Sequence, residues 1–586
     1  MRFFHRPFIA LFILSLLSTG SRPVMANGID SAERGRLKPY STQAVFSNRD
    51  PWIERTLRSM SVREKVGQMI VAKVDARYDC CTDPQYLMIS RLAMEGKIGG
   101  IMFLKGDILS AAMLANHFQS ESKVPLLVSA DMERGLAMRL EGATKFSPAM
   151  ALAATGDPEL ARSMASIIAM EARSVGIHQN YAPTVDLNSN PANPVINVRS
   201  FGERIPLVNA MSAALIDGLQ SSGVVATAKH FPGHGDVTVD SHLTLPVLEG
   251  DRQRLEEYEL KPFRAAITQD VLSVMVGHLA VPKLTGTMEP ASLSGTVVTG
   301  LLRQELGFEG LIVTDALNMK ALQNGQTPGD IAVMAVQAGN DMLLFPEDPE
   351  LVFNAVTSAV ENGQIQESRI EHSVRRILQL KYWLGLGRQK LVDLSRLQEL
   401  VGSPANDLVA QKIAEESLTL IRDHNWNLPL RLPDHGQVVN IILNDRPGET
   451  AGATFADKLA LAYNVNRFRL TPASQAELFR TASDAVTNAS AVILTTGIQA
   501  WSDSTSRLSK QQHDFIRTLP AIVSKETPVV FISFGTPYIL GAFPEIGTAL
   551  CSYSADNHTE AAVISALKGE IIPKGQLPVS IDRINP

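Results

Sequence analysis

Residues 224–242 read VVATAKHFPGHGDVTVDSH, and the change of character inside this stretch decides how the chain folds. Val224 to Ala228 make a short apolar run, Lys229 and His230 stand near its end, and Pro232, Gly233 and Gly235 prevent a helix from following at once. A strand without a polar face is buried on both sides, which is the habit of parallel sheets. Seven other runs behave alike: VGQMIVAKV (66–74), IGGIMFL (98–104), PLLVSAD (125–131), IHQNYAPTVDL (177–187), VLSVMVGHLA (271–280), GLIVTDAL (310–317) and GNDMLLF (339–345). Polar, Gly or Pro residues and a helical pattern follow each, as in DPELARSMASIIAMEARSV (157–175). Eight strand–helix units predict an α/β protein whose first part is a (β/α)8 TIM-like barrel. An open doubly wound sheet fits less well, because no Gly-rich nucleotide fingerprint follows the first strand.

A second alternation starts after LGLGRQKLVDLSRLQELVGSPAND (384–407), a Gly, Pro and charge mixture read as a linker packed on the barrel. Its runs are LTLIRD, GQVVNIIL, ASAVILTTG, TPVVFISFG and TALCSYS, with helical stretches such as TEAAVISALKGE between them. A smaller three-layer α/β/α sandwich domain is expected there. The organisation expected is a signal peptide over 1–26, a barrel over 27–385, a linker over 386–407 and the sandwich over 408–586.

The leader reading rests on Arg2 and Arg6 before FIALFILSLLSTG (8–20) and on VMA ending at Ala26. The apolar segment is shorter than the roughly 20 residues that a spanning helix needs. An exported protein, periplasmic or secreted and off the membrane once the leader is removed, is therefore expected. The chain has 586 residues, 45% hydrophobic and 19% charged, an ordinary globular composition large enough for two or three domains. Its net charge of −6 gives no basic footprint, so nucleic acid is not an expected partner. Three cysteines, Cys80, Cys81 and Cys551, do not make a disulfide scaffold, and the adjacent pair reads equally as a vicinal disulfide or two free thiols.

Function is concentrated at the strand ends. Asp131, Asp186, Lys229, His230, His278 and Asp315 all fall toward the C-terminal ends of expected strands, the face where such barrels carry their active sites. His230 and His234 have the spacing of helical metal ligands, but Pro232 and the glycines disfavour a helix, and no His-Glu-x-x-His element is present. No metal or organic cofactor is expected. Asp240 and His242, two apart, can lie on one side of an extended loop, where the carboxylate fixes the imidazole tautomer and raises its basicity. Such a ring donates a proton and later takes one back. Gly233 and Gly235 would let the loop fold over a substrate, while His234 and Asp236 have no assigned part.

The stretch KHFPGHGDVTVDSH (229–242) resembles the signature of bacterial β-N-acetylglucosaminidases of glycoside hydrolase family three. The resemblance implies that Asp240 and His242 are the acid/base dyad, and that Lys229 and His230 contact hydroxyls of the sugar whose bond is cut. GLIVTDALNMKAL (310–322) is similar to the family's nucleophile segment, which implies that Asp315 attacks the anomeric carbon and that configuration is retained. SADMERGLAMRLEG (129–142) resembles the family's Asp-x-Glu-Gly-Gly…Arg element, implying substrate contacts for Asp131 and Arg139, with Arg134 where the family usually has Gly. NPVINVRSFGE (193–203) resembles another family element and implies a substrate contact for Arg199. The C-terminal runs look like the second domain of two-domain members, with no residue there implied as catalytic.

The implied activity is exo-acting and retaining, releasing terminal GlcNAc from peptidoglycan fragments by a monomer that needs no cofactor. Alternatives within the family are a glycoside phosphorylase, since an imidazole base does not repel a phosphate dianion, and a broad β-glucosidase. A non-catalytic wall-binding protein would lack Asp315, Asp240 or His242, and all are present.

Overall fold

The computed structural model describes residues 40–77, 82–322, 325–448, 451–499 and 508–581. The expected leader and the Cys80–Cys81 pair lie outside the described residues. Eight parallel strands build the first part: β1 (Ile70–Ala76), β2 (Gly100–Asp107), β3 (Leu127–Ala130), β4 (Gln179–Asn180), β5 (Val225–Phe231), β6 (Ser273–Val276), β7 (Leu311–Thr314) and β8 (Leu343–Leu344). Neighbours in sequence are neighbours in the sheet, and β8 also pairs with β1. A bridge from Val313 to Met342, with the Thr314 N–H bonded to the Met342 carbonyl, joins β7 to β8 and closes the ring. The eight runs read from the sequence are these eight strands.

Side chains fill the barrel interior. The Gln179 amide donates to Thr227 Oγ1 at 3.1 Å and Ser273 Oγ at 3.2 Å, so three strands meet in one polar contact. Helices wrap the outside. α1 (Pro158–Ser174) starts at an Asp157 cap with Pro158 in its first turn and lies against α2 (Ile205–Ser221). The two approach closely because Gly218 has no Cβ; one built there would sit 2.5 Å from the Arg162 carbonyl. Below the N-terminal strand ends, α3 (Glu367–Trp383) inserts Lys381, whose Nζ donates to Gln68 Oε1 at 2.7 Å and the Gly99 carbonyl at 2.9 Å.

The 386–407 stretch is laid on the barrel, with Leu397 and Val401 buried in the barrel's apolar cluster. It runs into α4 (Pro404–Ser417). Buried Glu171 of α1 accepts from the Gly402 N–H and the Asn406 amide, which pins this crossing. Beyond it lie β9 (Thr419–Asp423), β10 (Gln437–Leu443), β11 (Asn464–Leu470), β12 (Ala491–Thr496), β13 (Val529–Ser533) and β14 (Thr548–Cys551), in the order β9-β14-β13-β12-β10-β11. Only β9 runs antiparallel to its neighbour.

Alternate residues of this sheet enter two separate apolar clusters. Val439, Val492, Phe531 and Ala549 belong to one, while Val438, Ile493, Val530 and Leu550 belong to the other. Both faces are covered, which is the expected three-layer sandwich. The sequence reading missed β11, an edge strand whose NVNRFRL pattern is polar and half exposed because it pairs on one side only. Among the described residues no helix is long and apolar enough to cross a membrane.

Candidate active site

The C-terminal ends of β3, β4 and β5 converge on one charge network. Asp131, directly after β3, accepts from Lys229 Nζ at 2.9 Å through one oxygen and from Arg139 Nη2 at 2.8 Å through the other. Glu133 lies two residues further and receives Arg199 in a fork, at 3.0 Å from Nε and 2.7 Å from Nη2, with Lys229 Nζ at 2.8 Å. The loop that presents both acids is clamped by Asn180, whose amide bonds both the N–H and the carbonyl of Met132. Burial opposes ionisation of Asp131 and Glu133, but Lys229 with Arg139, and Arg199 with Lys229, hold these carboxyls below their ordinary range. Lys229, buried as well, is kept charged by the two acids.

Asp186 organises the histidine stretch. It accepts from the His230 ring at 2.7 Å, from the His230 N–H and from the His234 N–H at 2.7 Å. Since the carboxylate takes the proton on His230 Nδ1, Nε2 is left facing Arg199 Nη2 at 3.5 Å. His234 contributes its backbone: burial and the neighbouring His230 push its imidazole down to about 4, so the ring is neutral at pH 7. Gly235 has a packing reason, because a Cβ there would meet the Leu187 carbonyl at 1.6 Å. Asn193 ties this turn to the Arg199 segment by donating to the carbonyls of His234 and Gly235.

Asp240 and His242 are bonded, but in a turn and not in the extended loop expected. One Asp240 oxygen accepts both the His242 N–H and His242 Nδ1 at 2.8 Å, while the N–H groups of Leu243 and Thr244 close back on the Asp240 carbonyl. Asp and Ser favour such side-chain-to-backbone turns, and here the turn fixes the dyad. Asp240 is buried, whereas the His242 side chain is 56% exposed with Nε2 unused by Asp240. The Asp240 hydrogen bond raises the His242 pKa above its ordinary 6.5 against the opposing effect of desolvation, with a contribution from the charge of Asp315.

Asp315 follows β7 directly, and its Oδ1 accepts the Ala316 N–H at 2.8 Å. Burial disfavours its charge, yet His230, His278, that N–H and Lys229 overcome it and hold the carboxyl at about 2. His278 sits beneath, bonded to Ser292 Oγ at 2.7 Å and to the Ala316 carbonyl at 3.0 Å, and burial lowers its pKa. The arrangement offers an ionised carboxylate, an accessible imidazole with a carboxylate behind it, and a wall of paired acids and bases suited to sugar hydroxyls.

All the residues singled out from sequence, Asp131, Arg139, Arg199, Lys229, His230, Asp240, His242 and Asp315, border this face of the barrel. Sequence reasoning left the part of Glu133 open because Arg134 stands beside it in place of the usual Gly; it lies two residues from Asp131, in the turn after β3. Arg134 leaves that element intact, because the positive φ of 92° falls on the next residue, Gly135. Among the described residues no group of three or more His, Cys, Asp or Glu side chains is arranged to hold a metal ion.

Comparisons with known proteins agree with this geometry. Residues 61–380 match the family model described as the glycosyl hydrolase family 3 N terminal domain. A β-N-acetylglucosaminidase/β-glucosidase from Cellulomonas fimi is 30% identical over 559 residues, covering 92% of this chain and 97% of the relative. A β-hexosaminidase from Mycobacterium tuberculosis is 33% identical over 55% of this chain and 83% of its own length. Among solved structures, a family 3 β-N-acetylglucosaminidase from a Paenibacillus species superposes with a TM-score of 0.78 at 32% identity, covering 89% of this chain and 99% of that one. A β-glucoside phosphorylase superposes with a TM-score of 0.81 at 26% identity, covering 92% and 99%. A family match across more than half of the chain, and a relative aligned along nearly its whole length, lead to one conclusion: the chain belongs to glycosyl hydrolase family 3 and is a glycoside hydrolase.

Proposed function

We propose that the protein is an exported, retaining exo-β-N-acetylglucosaminidase that removes terminal GlcNAc from peptidoglycan fragments. The observation that carries this reading is the His242 imidazole, backed by buried Asp240 and exposed beside ionised Asp315. The names of the relatives support the N-acetylhexosamine choice.

In the first step Asp315 attacks the anomeric carbon as the bond to the leaving oxygen breaks. His242 Nε2 gives its proton to that oxygen, leaving a glycosyl ester on Asp315. In the second step His242 takes a proton from water, the water oxygen attacks the same carbon, and the carboxylate is released. Two displacements at one carbon retain the β configuration. Asp131, Glu133, Arg139, Arg199, Lys229 and His230 hold the ring hydroxyls and exclude water from them.

The test is turnover of 4-nitrophenyl β-GlcNAc and of GlcNAc-β-1,4-MurNAc, with proton NMR of the first sugar formed. The expected result is β-GlcNAc from both substrates and no turnover by Asp315→Asn. An α-anomer first product, or parent-rate turnover by both Asp315→Asn and His242→Ala, overturns the mechanism. Phosphorolysis is a second reading, favoured by an acid/base that is an imidazole and not a carboxylate. It predicts GlcNAc 1-phosphate when phosphate is added.

A further inference from the structure

We propose that Lys73 is a specificity residue that pairs with a carboxylate on the leaving sugar, next to the oxygen being released. The inference rests on the hexosaminidase reading above and names the aglycone chemistry.

Strand register gives the direction of Lys73. Gln179 faces the barrel interior, since its amide reaches Thr227 and Ser273 on the next two strands. In a parallel sheet, residues level with one another face the same side. Ser129 is level with Gln179, Met102 with Ser129, and Lys73 with Met102. Lys73 therefore points inward, as do Asp131 two residues after Ser129 and Lys229 two residues after Thr227.

Register also gives its height. The Leu317 N–H, two residues beyond Asp315, bonds the Leu344 carbonyl at 2.9 Å, and Leu344 is level with Val71. Lys73 lies two residues further toward the mouth. Only β8 separates β1 from β7, so Lys73 is about 10 Å around the wall from Asp315, two strand spacings. That is the distance of a neighbouring sugar's substituents rather than of the ring being attacked.

The side chain is half-buried, and it makes no hydrogen bond or ion pair with a described residue. Its Nζ stands 5.1 Å from the centre of the Phe345 ring. By contrast, Arg139, Lys229 and Arg199, around the mouth from β3 to β5, are each matched by Asp131 or Glu133. An inward-facing ammonium with an aromatic face, and with no counter-charge among the described residues, is partly compensated and stays open to an anion. Phe345, at φ 55° directly after β8, supplies the flat apolar surface beside it. A sugar linked to GlcNAc through its O4 and bearing a carboxylate on O3, as a lactyl ether does, presents both an apolar face and an adjacent anion.

The experiment compares kcat/KM for GlcNAc-β-1,4-MurNAc, its methyl ester and GlcNAc-β-1,4-GlcNAc, each with and without phosphate. The parent enzyme should prefer the free acid over both neutral disaccharides. Lys73→Met should lower that preference by about tenfold or more, the scale of one charge-assisted hydrogen bond. Lys73→Arg should keep it. An unchanged preference in Lys73→Met overturns the inference. So does an effect seen only with added phosphate, which would assign the cation to the acceptor. If the parent cleaves neither disaccharide nor 4-nitrophenyl β-GlcNAc, the hexosaminidase reading itself fails and the inference falls with it.

Discussion

His242 is the most exposed of the charged groups at the site, yet its basicity is raised, because the Asp240 hydrogen bond outweighs partial desolvation. The consequence for pH follows from which forms must be present. In the proposed mechanism, cleavage of a poor leaving group needs protonated His242 and ionised Asp315. Asp315 ionises at about 2, so it imposes no limit near neutrality. His242 loses its proton above 6.5, so kcat/KM for a disaccharide should be flat toward acid and fall on the alkaline side. Asp240→Asn should move that alkaline limb to lower pH. His242→Ala should lower the disaccharide rate by about 10²–10⁴-fold, yet affect a 2,4-dinitrophenyl glycoside much less, since that leaving group needs no proton. Equal losses on both substrates would remove His242 from the acid role. Motif spacing made this pair legible, but not the turn that holds it: Asp240 serves the His242 ring and backbone together, which residue order alone does not specify.

Among the elements, the β3 loop joins two walls of the site through Glu133, which bonds both Arg199 and Lys229. Replacing it with Gln leaves a half-buried guanidinium short of its carboxylate, which should cost about 1–3 kcal/mol. Part of that will fall on folding. KM for 4-nitrophenyl β-GlcNAc should nevertheless rise at least about tenfold, and an unchanged KM would make Glu133 a purely structural acid. At the opposite barrel end, Lys381 of α3 meets only neutral oxygens, and burial pushes its pKa from 10.5 down to about 7. Between those values the unfolded chain holds a proton that the folded chain has lost. The Lys381 contribution therefore becomes more favourable as pH rises from 7 to 10.5, by up to about 4 kcal/mol. Denaturant unfolding should find Lys381→Met gaining on the parent below pH 7 and losing to it toward pH 10; a difference independent of pH would contradict this. The barrel strands were legible because each is buried on both faces and ends in a polar residue. β11 was not, because an edge strand carries no such signature, and Lys381 was hidden within an ordinary amphipathic helix.

Considered as a whole molecule, the second domain has no residue placed in the chemistry, yet it holds the segment that presents Arg199. Val198 is buried in the apolar cluster on one face of the C-terminal sheet, together with Met150, Ala151 and Ala154 of the barrel part. Asn188 donates to Tyr538 Oη at 2.7 Å, and Glu203 accepts from the Ser580 N–H at 3.1 Å and from its hydroxyl. Gly202 lies so close to the other domain that a Cβ would stand 2.5 Å from the Pro578 carbonyl. These contacts flank Arg199 on both sides, and Ser200 carries them on to Asp186 by donating to its carbonyl at 2.6 Å. The sandwich thus acts as the rear support of the wall that carries Arg199. Tyr538→Phe removes one hydrogen bond, worth about 1 kcal/mol, far from any substrate atom. If that support positions Arg199, KM should rise about three- to fivefold while the alkaline limb of the pH profile stays in place, because the Asp240–His242 pair is untouched. Gly202→Val, which forces the surfaces apart, should lower kcat/KM much further and lower Tm as well. A Tyr538→Phe enzyme with reduced Tm and unchanged KM would restrict the second domain to a role in stability.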